Sequence, residues 1–120
     1  MAIKDKLNEQ FLKALHEIET ELSKLFFKRH SVLEKGFAYY VEYRKENNTR
    51  VEFLFGPSDW NIEMIINTSK GKFAFKDLLN FPDINRWVND NLYIQKNGRN
   101  IRNELEWFIE LLKTSLPYVE

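Results

Sequence analysis

Three runs of alternating apolar and polar side chains occupy the middle of the chain, and no other feature restricts the fold as much. Phe37, Tyr39, Val41 and Tyr43 alternate with Ala38, Tyr40, Glu42 and Arg44. Val51, Phe53 and Phe55 alternate with Glu52 and Leu54. Trp60, Ile62, Met64 and Ile66 alternate with Asn61, Glu63 and Ile65. The turn clusters Glu46-Asn47-Asn48-Thr49 and Gly56-Pro57-Ser58-Asp59 separate them. Period-2 runs joined by short turns predict an antiparallel meander. Asn67 to Lys72 is a third turn, and Lys72-Phe73-Ala74-Phe75 predicts a short fourth strand. In the third run the Trp60 parity is expected to face the core, because the other parity carries Asn61 and Glu63.

Helical periodicity flanks this centre. Phe11, Leu15, Ile18, Leu22 and Leu25 lie on one stripe that Ile3 and Leu7 extend backwards, so residues 3 to about 29 predict one long amphipathic helix. Such a stripe packs on the domain's own sheet or forms a coiled-coil seam, which would give a homodimer through the N-terminal helix. After the strands, Asp77-Leu78-Leu79 predicts a helical turn ending near Phe81-Pro82. Asp83 can cap a helix carrying Ile84, Trp87, Val88 and Leu92. Asn97-Gly98 breaks the chain. Asn100 opens a last helix with Ile101, Leu105, Phe108, Ile109, Leu112 and Leu116 on one face, and Pro117 is expected to stop it.

The expected fold is α+β: a long N-terminal helix, a three- to four-stranded antiparallel meander, and two C-terminal helices packed on one sheet face. The expected core contains Leu15, Ile18, Leu22, Ile62, Met64, Leu105, Phe108 and Leu112. The 120 residues suit a single domain over 1–120. Lysine and arginine balance aspartate and glutamate at 18 each, so neither the basic excess of a nucleic-acid binder nor the acidic excess of a nucleic-acid mimic is present. The chain has no cysteine, which excludes disulfides, thiolate nucleophiles and Cys-ligated metals. No apolar run approaches a membrane span and no secretory signal opens the chain, so a cytoplasmic location without a membrane partner is expected.

Catalytic chemistry finds little material. His16 and His30 are the only histidines, and they read as a solvated side chain and a helix-end cation. No nucleophile elbow and no glycine-rich phosphate loop occur. Glu42, Glu52, Asp59 and Glu63 lie in or beside the strands, with Arg44 and Arg50 opposite, and cross-strand ion pairs are the expected result. The reading is therefore no enzyme, no metal and no cofactor. Its rival is a carboxylate-dependent hydrolase using Asp59 or Glu63.

Lys35-Gly36-Phe37-Ala38-Tyr39 matches the opening of the RNA-recognition-motif signature, then departs from it at Tyr40. The earlier strand that this fold requires falls within the predicted first helix. A looser nucleic-acid reading has Tyr39, Tyr43 and Phe53 stacking bases on an open sheet. A basic patch could serve instead, from Lys70, Lys72 and Lys76 or from Arg86, Lys96, Arg99 and Arg102. Nucleic acid is the disfavoured partner.

Residues 53–60, Phe73 to Leu79 and Ile84 to Val88 resemble small bacterial domains of unknown function. Some of those are similar to immunity proteins that guard against polymorphic toxins. The resemblance implies a non-enzymatic protein–protein binding module, an immunity-type inhibitor with a toxin domain as partner. One contact site is expected from the residues themselves. Gly56-Pro57 makes a rigid tip on which Ser58, Asp59 and Trp60 offer polar and aromatic groups to a partner. A plain β-turn, with Trp60 entering the core, explains the same residues.

Overall fold

The computed structural model describes residues 3–35, 38–56, 61–92 and 100–120, with the side chains of 3–8 and 35 outside that description. Helix α1 spans Ile3–Lys24. Its stripe of Phe11, Ala14, Leu15, Ile18 and Leu22 is buried in the domain's own core. A coiled-coil dimer would need those same side chains. The helix stops at Lys24, short of the predicted 29, because the chain reverses there. Phe26 adopts a left-handed φ of 70°. Its N–H donates to the Ser23 carbonyl at 2.9 Å, and the Phe27 N–H donates to the Leu22 carbonyl at 3.0 Å. This is a Schellman ending, and Phe27 and Leu22, the two positions where that motif places its apolar contact, are both buried in the core.

The reversal launches a strand that the sequence did not reveal, β1 at Lys28–Lys35. It pairs antiparallel with β2, Ala38–Arg44. Strands β3, Arg50–Phe55, β4, Ile62–Thr68, and β5, Gly71–Phe73, complete the meander. The sheet thus has five strands in the order β1-β2-β3-β4-β5, one more than the upper expectation. β1 escaped notice because it is an edge strand with little to bury. Val32 and Leu33 are 43% and 56% exposed, and charged residues fill the positions around them.

Val41, Tyr43, Val51, Phe53, Phe55, Ile62, Met64 and Ile66 all point to one face and are buried. The parity expected for the third run is the one observed. Phe11 of α1 stacks on Phe55 at 4.7 Å between ring centroids. Tyr43 donates a hydrogen bond to Glu19 of α1 at 3.1 Å, and Arg29 pairs with the same carboxylate. Burial, with the Glu19 charge beside it, pushes the Tyr43 hydroxyl well above the ordinary phenol range, so it remains a donor.

The helical remainder is α2, Phe75–Leu78, α3, Pro82–Asp90, and α4, Ile101–Val119. The Ala74 N–H donates to the Asp77 carboxylate at 2.9 Å, which fixes the start of α2. Phe75 therefore begins a helix instead of ending a strand. Asp83 does not cap α3: Phe81 holds the cap position and Pro82 begins the helix, where a missing N–H forfeits nothing. Leu92 lies outside α3 and is exposed. Asn100 caps α4 as expected, its side chain accepting from the Asn103 N–H at 3.0 Å.

Pro117 does not stop α4, which runs on to Val119. Proline there gives up one hydrogen bond to the preceding turn. Burial of Val119 and the Tyr118–Asp83 hydrogen bond at 2.7 Å offset that loss. Every expected core residue is buried except Phe108, which is half-buried and packs against the core from its rim. The predicted α+β architecture holds, with the helices on a single face of the sheet.

Candidate functional site

The sheet ends differently on its two sides. β5 pairs with β4 only through Ile66↔Phe73, Asn67↔Lys72 and Thr68↔Gly71. The first half of β4, Ile62 to Ile65, pairs with β3 on one side. On its other side no backbone hydrogen bond reaches it among the described residues. Alternate residues of that half-strand direct an N–H and a C=O outward, a row of groups that need partners.

A cleft of about 600 Å³ lies along this free edge, lined by Asn61 to Ile65 on one wall and by Ala74, Phe75, Lys76, Glu104, Trp107 and Phe108 on the other. Local chemistry explains why it stays open. After the short β5, Asp77 turns the chain at once into α2, so Phe75 faces the cleft, 38% exposed, where a longer β5 would have covered it. Trp107 holds the far wall. Its ring meets Phe75 at 6.2 Å, Trp87 at 5.6 Å and Phe108 at 5.2 Å between centroids. Its indole N–H donates to the Asn91 carbonyl, which fixes the ring. The centre is aromatic and aliphatic, and the rim carries both signs, with Glu63, Glu104 and Lys76.

The expected contact residues Ser58, Asp59 and Trp60, with Pro57, lie outside the described residues. So do Phe37, Lys96, Asn97, Gly98 and Arg99, as do the side chains of Ile3 and Leu7. Glu63, the other carboxylate named for hydrolysis, is exposed on the cleft wall. Trp107 carries the far wall, and sequence reading passed over it. Its signal was present, since a tryptophan stands beside the α4 apolar stripe where a polar residue is usual.

The remaining candidates are otherwise placed. His16 is exposed, 3.7 Å from Glu19. His30 is not a helix-end cation; it lies on β1 at an irregularity in the pairing between Arg29 and Ser31. Of the basic stretches, Lys96 and Arg99 lie outside the described residues, and Arg102 on α4 pairs with Glu17 at 2.7 Å and Glu106 at 3.2 Å. Tyr43 and Phe53 are buried in the core and present no face for base stacking. The cross-strand ion pairs expected among Glu42, Glu52, Arg44 and Arg50 are absent from the register. Glu42 lies opposite Glu52 and Arg44 opposite Arg50, while the Arg44–Glu42 pair runs along one strand.

A second concavity, about 690 Å³, surrounds the α1–β1 reversal, with Lys28, Arg29, His30, Arg44 and Lys45 in its lining. Three of these cations are already engaged: Arg29 with Glu19, Arg44 with Glu42 and Lys45 with Glu120. Among the described residues no group of three or more His, Asp or Glu side chains could hold a metal, and no helix is long and apolar enough to cross a membrane. Neither a protein-family description, nor a curated protein, nor a solved structure matches the chain.

Proposed function

We propose that the protein is a non-enzymatic binding module that receives an extended segment of another protein along the free half of β4. One observation carries this reading: unpaired strand backbone and a preformed apolar cleft coincide over Ile62 to Ile65. Strand addition draws affinity from main-chain hydrogen bonds and specificity from pockets for alternate side chains. Here the backbone edge supplies the first. Phe75, Trp107 and Phe108 supply the second, in a volume that takes a few side chains. The aromatic centre and mixed polar rim are the make-up of a protein-binding surface. The occupant this chemistry favours is an extended peptide with apolar side chains at every second position. The resemblance to immunity domains makes a toxin domain in the cytoplasm the partner class to try first. Nucleic acid has less support, because Arg44 and Arg102 already hold carboxylates of the chain.

A displayed library of random extended peptides tests the proposal. The expected winners alternate apolar residues and shift the backbone amide signals of residues 62–65. Ile65→Lys places a charge on the cleft wall without touching the buried face of β4. It should weaken those peptides by about tenfold or more, roughly 1.4 kcal/mol, with little change in melting. Peptides that leave the β4 amides unmoved, or that bind Ile65→Lys equally well, would sink the proposal.

A further inference from the structure

The face of the sheet turned away from the helices is written in rows. Its residues alternate with the buried set, and the register aligns them across strands. One row is Leu33, Tyr40, Leu54 and Glu63; the next is Ser31, Glu42, Glu52 and Ile65. The third is Lys28, Arg44, Arg50, Asn67 and Lys72. At the centre an acidic pair and a basic pair thus stand side by side, and within each pair the cross-strand neighbours carry the same sign.

Like charges directly opposite one another are the unfavourable arrangement in an antiparallel pair. A small change of register or sequence would have avoided it. One ion pair inside the chain relieves the quartet in part, Arg44 with Glu42. Among the described residues the side chains of Glu52 and Arg50 have no hydrogen bond or ion pair. The described helices pack against the opposite face, and the side chains at the centre of this one are half-buried among their neighbours, with Arg44 44% exposed. The pattern nevertheless has an exact symmetry property: it is complementary to itself. A two-fold axis lying between two such faces, perpendicular to the strands and midway between the rows, sets Glu42 of one copy over Arg44 of the other. It sets Glu52 over Arg50 in the same way, and each contact occurs twice, as an isologous interface requires.

We infer that the open sheet face is a self-association surface whose occupant is a second copy of this chain. A partner of any other kind would have to reproduce the alternation of rows, whereas the chain already carries it. A formal net charge of zero means that two copies approach without overall repulsion. Four strands about 4.8 Å apart and about 20 Å long, with the short β5 beside them, offer roughly 400 Å² of flat face per copy. That is the low end for specific association, so the dimer is weak and its stability depends on salt. The surface borders the β4 edge, since Glu63 and Ile65 end two of its rows and also line the cleft, but its charged centre on β2 and β3 lies away from that cleft.

The test exploits the symmetry. Glu42→Arg with Glu52→Arg makes both rows basic, and Arg44→Glu with Arg50→Glu makes both acidic. In sedimentation equilibrium at about 50 mM salt the wild type should dimerise, and its dissociation constant should rise about tenfold or more at about 500 mM salt. Each variant alone should be monomeric, and an equimolar mixture of the two should recover a dimer. A wild type that stays monomeric at millimolar concentration overturns the inference, as does a mixture that does not associate. If either variant fails to fold by circular dichroism, concentration-dependent amide shifts in the wild type decide. Shifts centred on Glu42, Arg44, Arg50 and Glu52 support the surface; shifts centred elsewhere reject it.

Discussion

The two borders of the sheet meet the edge-strand problem in opposite ways. β1 presents a long border filled with Lys28, Arg29, His30 and Glu34, and its pairing slips between Arg29 and Ser31. Charge and a bulge are the devices by which strand edges resist unwanted pairing. The half of β4 left free by β5 has neither. It carries Ile62, Met64 and Ile65 beside a single acid, with aromatic rings waiting across a cleft. Among the described residues, one border is charged and the other is lined with Phe75 and Trp107, so the two differ in chemistry. The comparison also separates how they are held. The β4 side has α2 and α4 beside it, whereas β1 depends on β2 and on the turn that leads into it.

The largest effect should follow from unpinning the defended border. Phe27 is 1% exposed, directly before β1, and its N–H closes the end of α1 on the Leu22 carbonyl. Phe27→Ala should cost about 3–5 kcal/mol in urea unfolding, the range for a buried aromatic. It should also speed amide exchange in β1 more than in β4. A loss under about 1 kcal/mol would mean that strand pairing alone secures β1, and the contrast between the borders would weaken.

The same contrast decides what could be read in advance. β2, β3 and β4 were legible because one face of each is buried, and burial imposes a period of two. The α1 stripe and the Asn100 cap were legible for the same reason: local sequence and tertiary demand agree there. β1 was not legible, since nothing in Lys28 to Leu33 alternates when both faces meet solvent. The end of α1 was hidden because a phenylalanine, not a glycine, takes the left-handed position. The cleft was half legible. Phe108 belonged to a visible stripe, but Trp107 acquires its role only when α2 turns back after three residues of β5.

A smaller effect concerns the end of the sheet away from the cleft, where α4 is tied to the β2–β3 turn. The Glu120 side chain accepts from Lys45 at 2.9 Å, Asn47 at 2.8 Å and Thr49 at 2.9 Å. Burial opposes its charge, but the hydrogen bonds from Asn47, Lys45 and Thr49 prevail and hold the carboxyl below its usual value of 4.5. A depressed folded pKa stabilises the fold above the unfolded value, and the benefit disappears as pH falls through the folded one. Glu120→Ala should therefore cost about 1–2 kcal/mol at pH near 7. Thermal melts of the two proteins should converge as pH drops below 4.5. Peptide affinity at the β4 edge should not change, since this tie lies at the other end of the sheet. A gap that persists unchanged at low pH would remove the carboxylate from the explanation.

The smallest effect has the opposite sign and concerns Phe26, which hands α1 over to β1. A non-glycine residue with φ of 70° is strained by contact between its Cβ and the backbone. The ring recovers little by burial, since the residue is 77% exposed. Glycine relieves the strain but makes the unfolded chain more flexible, and the two contributions partly cancel. Phe26→Gly should still raise stability by about 0.5–1 kcal/mol. Phe26→Ala removes the ring and keeps the strain, so it should leave stability within about 0.5 kcal/mol of the wild type. Urea unfolding of the pair distinguishes backbone from side chain. A glycine variant no more stable than the alanine variant would mean that the reversal is not strained, and that Phe26 itself helps to hold the defended border.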